Sequence, residues 1–189
     1  MCNKKSLRTH FLEIRGEISA RDAKSAAIAE LLFASEAYKN ASEVLTYASV
    51  GSEVDTFPII RRALCDGKAV ALPAALAGVM RFYRISGLDG LGALVISKYG
   101  IPEPVPEPGA EVRCGPGTLL MVPGVVFGKN RYRIGYGGGY YDRYLAANRP
   151  MMSVGLCFAG QVVGKGVIPA EAHDIRLDAV LTEEGWVEE

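Results

Sequence analysis

NRYRIGYGGGYYDRYL, residues Asn130–Leu145, concentrates arginine, glycine, tyrosine and one aspartate between two apolar runs, and the fold is read outward from it. Upstream, TLLMVP (Thr118–Pro123) is an apolar run of strand length stopped at Pro123-Gly124, so a buried strand feeds the loop. Downstream, Tyr141, Tyr144, Leu145 and Asn148 recur at helical spacing until Pro150, which predicts a helix over Gly138–Asn148. A glycine-rich entrance to a helix offers unpaired N–H groups, the positive end of the helix dipole and no Cβ atoms in the way, all of which suit phosphate. Arg131 and Arg133, just upstream, add cationic donors of fork geometry. Asp142 would repel a phosphate, and a hard cation such as Mg²⁺ between the two removes that conflict. The plainer alternative is a tight turn at Gly135, Gly137, Gly138 and Gly139, with Asp142 favoured only by the helix dipole. Neither the G-K-[ST] ending of a Walker A loop nor the Rossmann G-x-G-x-x-G spacing is present.

A chain of 189 residues that is 49% hydrophobic can bury a substantial core and falls in the size range of one domain, expected over residues 1–189. With 21 basic and 21 acidic residues the formal net charge is zero, so neither nucleic acid nor an anionic membrane is expected as a partner. Apolar stretches such as Ala69–Met80 are broken by proline and glycine and fall short of the roughly 20 residues that span a bilayer. The basic N-terminus lacks an apolar signal region, and Cys2, Cys65, Cys114 and Cys157 show no C-x-x-C spacing; free thiols in a reducing cytoplasm are expected.

Along the chain, Lys4–Gly16 reads as a first helix carrying Leu7, Phe11, Leu12 and Ile14, with Lys4 and Arg8 four apart on one face. A second helix is expected from Asp22 to Asn40, with Ser19 as its N-cap, followed by a strand over Val44–Val50. The turn Gly51–Thr56 then leads into a helix starting at Pro58, with Thr56 as N-cap. Glu53 lies in this strand-to-helix loop, where ligands gather in open α/β sheets, whereas Asp55 reads as a helix-start acid. Lys68–Ala74 and Val79–Ile85 read as strands; Arg81 and Arg84 on the latter are weak candidates for an anionic substrate tail. Gly87–Leu94 and the proline-rich Ile101–Pro108 read as irregular. Met151–Phe158 and Asp178–Thr182 are the last strands, and Val162–Ile168 is ambiguous. This alternation predicts an α/β three-layer sandwich with a largely parallel central sheet flanked by helices.

Met121–Leu145 (MVPGVVFGKNRYRIGYGGGYYDRYL) resembles the signature of the 5-formyltetrahydrofolate cyclo-ligase family, and the likeness extends to KKSLR (Lys4–Arg8), GSEVDT (Gly51–Thr56), YGIPEP (Tyr99–Pro104) and HDIRLDAVL (His173–Leu181). The resemblance implies ATP- and Mg²⁺-dependent conversion of 5-formyltetrahydrofolate to 5,10-methenyltetrahydrofolate, without a protein nucleophile. It assigns Lys4, Arg8, Arg133, Gly135, Gly137, Gly138, Gly139 and Tyr141 to ATP, and Glu53, Tyr136 and Tyr140 to the folate, the two tyrosines by ring faces that suit pterin or adenine. Asp142 and Asp174 are assigned to the metal, with Asp178 as runner-up; Glu103 is a lesser candidate, and His173 has no assigned role. The family often has Lys or Arg in the glycine run where this chain has Tyr136 and Gly138, so less charge is available there. A monomer acting on two small molecules, reduced folate and ATP, is expected. The alternatives are a folate or nucleotide binder without turnover and a sugar-phosphate isomerase on a similar fold.

Overall fold

The structure, a computed structural model, describes residues 3–189. In chain order its elements are α1 (Lys4–Glu17), α2 (Arg21–Ala34), α3 (Glu36–Asn40), β1 (Glu43–Leu45), α4 (Phe57–Cys65), β2 (Ala69–Leu76), β3 (Val79–Arg84), α5 (Gly87–Gly92), β4 (Val95–Ile96) and β5 (Pro102–Glu103). They continue with β6 (Glu111–Val112), β7 (Thr118–Val122), β8 (Val126–Gly128), β9 (Arg133–Ile134), α6 (Tyr140–Ala147), β10 (Met152–Leu156), β11 (Val162–Val163), β12 (Ala179–Thr182) and β13 (Gly185–Trp186).

The main sheet has the order β13-β12-β10-β7-β1-β2-β3-β6. Its five central strands, β12 to β2, run parallel, while β13 and β3 pair antiparallel at either side. Side chains alternate across a strand, and the core divides accordingly. Val44, Val70, Leu72, Leu119, Met121, Val154 and Leu181 face a cluster with Ile28, Leu32, Tyr38, Ile59 and Ile60 of α2, α3 and α4. Leu45, Ala71, Leu120, Val122 and Val180 face the opposite cluster, where α6 supplies Tyr144 and Leu145. Helices on both faces make the three layers anticipated from the alternation of elements. A third, smaller cluster seats Leu7 and Phe11 of α1 against Val126 of β8 and Ile134 of β9.

The strand over Thr118–Val122 is buried at every position, as a fully covered parallel strand must be. Other boundaries moved. The expected Asp22–Asn40 helix breaks at Ser35, whose hydroxyl donates to the Leu32 carbonyl at 2.6 Å and accepts from the Tyr38 amide at 3.2 Å, so it ends α2 and caps α3. Ser19 is not the cap of α2; Ala20 holds that place in a left-handed conformation, with no side-chain bond. Thr56 holds the N-cap position of α4 without capping it, because its hydroxyl is spent on the Tyr47 carbonyl. The Val44–Val50 strand shortens to three residues, and the segments read as irregular contain α5 and β5, which pairs with β4 just before it in a hairpin. Among the described residues Cys65, Cys114 and Cys157 are free, Cys2 lies outside them, and no helix is long and apolar enough to cross a membrane.

Gly155 in β10 shows how tightly the second core closes. A Cβ there would lie 2.4 Å from the Phe127 ring and 2.9 Å from Leu177. Gly155→Ala is therefore expected to destabilise by about 1–3 kcal/mol through overpacking. Thermal melting checks this, with a midpoint lowered by roughly 2–12 °C.

The topology also fixes where a ligand can enter. From β1 the chain crosses through α4 to β2 on one side, and from the adjacent β7 it crosses through α6 to β10 on the other. Connections that leave neighbouring parallel strands in opposite directions open a crevice beyond their carboxyl ends, the switch point of an open α/β sheet. Glu53 follows β1 and the glycine loop follows β7, so both belong to that crevice.

Candidate functional site

The glycine loop is built for close approach. Gly137 (φ 106°) and Gly139 (φ 62°) take backbone conformations that side chains disfavour, and a Cβ on Gly138 would lie 2.7 Å from the Tyr140 ring. Gly135 has no such steric need; its carbonyl accepts the Arg8 Nε–H at 2.7 Å. The helix behind the loop begins with the Arg143 amide bonding the Gly139 carbonyl at 3.1 Å, so the N–H groups of Tyr140, Tyr141 and Asp142 precede the first intrahelical bond.

Helix α1 lays its cations against this loop. Spacing of i, i+4 puts Lys4 and Arg8 on one face, and Asn3 caps the helix by accepting the Ser6 amide. The Arg8 guanidinium lies 3.7–3.8 Å from where a Gly137 Cβ would stand, and among the described residues neither terminal nitrogen has an acceptor. The Lys4 ammonium bonds Asp174 Oδ2 at 2.6 Å and Glu171 Oε2 at 2.7 Å. Burial works to lower the Lys4 pKa, but its two carboxylate partners outweigh it and raise the group above its ordinary value. At Asp174 burial pulls upward, and the Lys4 bond, the Glu171 amide and neighbouring positive charge prevail, holding the carboxyl below its usual range.

Asp142 and the Asp174–Ile175 step are brought together from distant chain: the Ile175 amide, 33 residues on from Asp142, bonds Asp142 Oδ1 at 3.0 Å. The same oxygen meets Arg133 at 3.2 Å. Arg133 was expected to face the phosphates with an open fork; instead its side chain is 4% exposed and bonds Asp142 and the Ile175 carbonyl from beneath. Desolvation lowers its pKa, and Asp142 is the largest influence in the other direction. Among the described residues neither Asp142 Oδ2 nor Asp174 Oδ1 accepts a hydrogen bond; His173 Nε2 stands 3.8 Å from the latter. One ligand atom each from Glu171, His173 and Asp174 lie within 4.8 Å of one another. A hard divalent cation that shares its shell with phosphate oxygens needs one or two such carboxylates, so the donor set fits Mg²⁺.

Other expected residues are placed elsewhere. Asp178 Oδ2 accepts both the amide and the hydroxyl of Ser153, at 2.7 and 2.6 Å, which makes it a strut of the sheet. Arg131 binds the Asp178 carbonyl and Glu189, away from the loop. Arg81 pairs with Glu111 and Arg84 with Glu43, while Glu103 lies on β5, its carboxylate accepting a long bond from the Ala75 amide at 3.4 Å. Tyr141 turns its ring onto Phe82 with a buried, unpartnered hydroxyl, so contact with a nucleotide is left to its backbone N–H. Tyr140 packs under the Arg143 guanidinium, 5.0 Å from the ring centre, and borders a groove with Met80 and Arg113.

Glu53 faces the loop from the other wall. Its Oε2 accepts the Val50 amide at 2.9 Å, and its Oε1 accepts the Tyr136 hydroxyl. That phenol in turn accepts from Arg15 at 2.8 Å. Sequence reading passed over Arg15, though a signal existed: it continues the 4, 8, 11, 15 face of α1, a basic residue on the buried stripe of Leu7 and Phe11.

The sequence model of the 5-formyltetrahydrofolate cyclo-ligase family matches residues 1–183. A probable 5-formyltetrahydrofolate cyclo-ligase of Caenorhabditis elegans is 30% identical, over 95% of this chain and 92% of its own length. One of Schizosaccharomyces pombe is 31% identical, over 86% of this chain and 85% of its own. The solution structure of Aquifex aeolicus 5,10-methenyltetrahydrofolate synthetase superposes with a TM-score of 0.83 at 29% identity, covering 98% of this chain and 92% of that one. On the matched sequence and the shared fold together, the chain belongs to the 5-formyltetrahydrofolate cyclo-ligase family.

Proposed function

We propose that the protein converts 5-formyltetrahydrofolate to 5,10-methenyltetrahydrofolate, using ATP as phosphoryl donor with Mg²⁺ and releasing ADP and phosphate. Family membership supports the overall reaction. The observation that carries the nucleotide part is the Arg8 guanidinium, laid across a glycine loop at the sheet's switch point with both terminal nitrogens unpaired among the described residues.

The chemistry explains why no protein nucleophile is needed. The formyl oxygen of the substrate attacks the γ-phosphorus, the bond to the ADP oxygen breaks, and N10 then adds to the formyl carbon. N10 loses its proton and the C–O bond breaks with phosphate as leaving group, closing the ring. The chain's task is to position the reactants and balance charge. Lys4 and Arg8 hold phosphate oxygens, and Gly135, Gly137, Gly138 and Gly139 let the backbone amides approach them. Arg133 orients Asp142 from below, and Asp142 with Asp174 would hold Mg²⁺. Bound there, the ion would draw off negative charge from the phosphates. On the opposite wall Glu53 accepts the N–H donors of the pterin, and Tyr136 and Tyr140 supply ring surface. His173, 74% exposed at its side chain, has no catalytic part in this scheme.

The test is the methenyl chromophore. It is expected to form from 5-formyltetrahydrofolate, ATP and Mg²⁺ in the presence of the protein, and not when ATP is omitted. No product at saturating substrates would defeat the proposal.

A further inference from the structure

Arg15, in the last turn of α1, is 5% exposed, and among the described residues no carboxylate pairs with it. Its Nε donates to Ser52 Oγ at 3.0 Å and its Nη1 to the Tyr136 hydroxyl at 2.8 Å, with the Gly124 carbonyl at 3.5 Å. The guanidinium also stands 5.6 Å from the centre of the Tyr136 ring. A buried cation with neutral acceptors alone is strongly disfavoured unless a counter-charge lies within reach. The counter-charge here is one bond further on, because Tyr136 donates its proton to Glu53. Three separate pieces of chain, α1, the glycine loop and the loop after β1, are thereby tied in a line that ends on one carboxylate.

We propose that Arg15 is a positioning residue of the folate subsite, acting through the Tyr136 hydroxyl to hold the Glu53 carboxylate in a fixed orientation toward the pterin. The inference rests on the reading of Glu53 as pterin acceptor and extends it to a residue that touches neither substrate. An ionised carboxylate has about four acceptor sites. Tyr136 and the Val50 amide occupy two of Glu53's from the protein side, leaving the others for a planar donor pair in the crevice. A phenol that accepts from a guanidinium is polarised into a stronger donor. Burial, aided by Glu53, raises the Tyr136 pKa while Arg15 opposes, so the phenol stays protonated and donates toward Glu53. Tyr47 lies buried beside this line.

The test is equilibrium binding of 5-formyltetrahydrofolate without nucleotide, alongside binding of ATP with Mg²⁺ and thermal melting, for wild type, Arg15→Met, Arg15→Lys, Tyr136→Phe and the Arg15→Met/Tyr136→Phe pair. Arg15→Met and Tyr136→Phe are each expected to weaken folate binding about tenfold, the scale of one hydrogen bond to a charged group. ATP affinity should stay within about twofold, and the double variant should bind folate no worse than the weaker single, because both changes cut the same line. Arg15→Lys, which keeps the charge and a donor, should recover most of the affinity. Unchanged folate binding, a joint fall in folate and ATP affinity, or multiplying losses in the double variant would each overturn the proposal. Should Arg15→Met fail to fold, Arg15→Gln, which removes the charge but keeps a polar side chain, takes its place with the same expected outcomes. A wild type that binds no folate would instead bring down the underlying functional reading along with this one.

Discussion

Asp142→Asn is expected to lower the Mg²⁺-dependent rate by about 10²–10³-fold, the scale set by removing one group that stabilises developing charge. The structure adds a second consequence that the position of Asp142 in a first helical turn does not reveal. Arg133, 4% exposed at its side chain, has Asp142 as its one carboxylate partner among the described residues. Asparagine keeps the acceptor for the Ile175 amide but takes away the paired carboxylate of a buried guanidinium, and breaking such a pair costs about 3–5 kcal/mol. The melting temperature should therefore fall by roughly 6–20 °C. The two effects separate in the double variant Arg133→Met/Asp142→Asn, in which the buried cation is gone: stability should return while the rate stays low. A rate equal to wild type at saturating Mg²⁺ would remove Asp142 from the metal site, and an unchanged melting temperature would refute its part in supporting Arg133.

Glu53→Gln is expected to raise KM for the folate by about 10–100-fold, from the loss of charge-assisted bonds of about 1.5–3 kcal/mol. KM for ATP should not follow, because Lys4, Arg8 and the glycine loop stand on the other wall of the crevice. Glutamine cannot satisfy Glu53's present surroundings either. The Val50 amide and the Tyr136 hydroxyl both donate, so one of them has to meet an amide nitrogen or turn away. Steady-state kinetics with each substrate varied in turn checks the split. Equal increases in both KM values would place Glu53 outside the folate subsite.

Much of the fold is local enough to read from a one-dimensional pattern. Thr118–Val122 is apolar at nearly every position because both faces of its sheet are covered, and that shows as a continuous run. Glycines at 137 and 139 announce a positive φ, a demand the backbone makes without reference to distant chain. The Asp22–Asn40 stretch misled because its apolar spacing runs on past Ser35, while the serine's own bonds to Leu32 and Tyr38 end one helix and start another. In the strap after α5, prolines signalled irregular chain and hid the hairpin of Val95–Ile96 with Pro102–Glu103, whose pairing depends on a partner strand.

Periodicity, turn residues and the motif around Asn130–Leu145 were sufficient for the layer architecture and the family, since each depends on neighbours in sequence. Which charged group faces the crevice was decided only by packing. Asp174 and Asp178 look alike along the chain, yet Ser153 claims one while Lys4, some 170 residues away, meets the other. Arg133 read as an open ligand and proved a buried support, and Arg15 read as the tail of a helix and proved the far end of a line to Glu53. The reason is physical: the state of an ionisable side chain depends on its counter-charge and its exposure, and both are supplied by segments that only folding brings together.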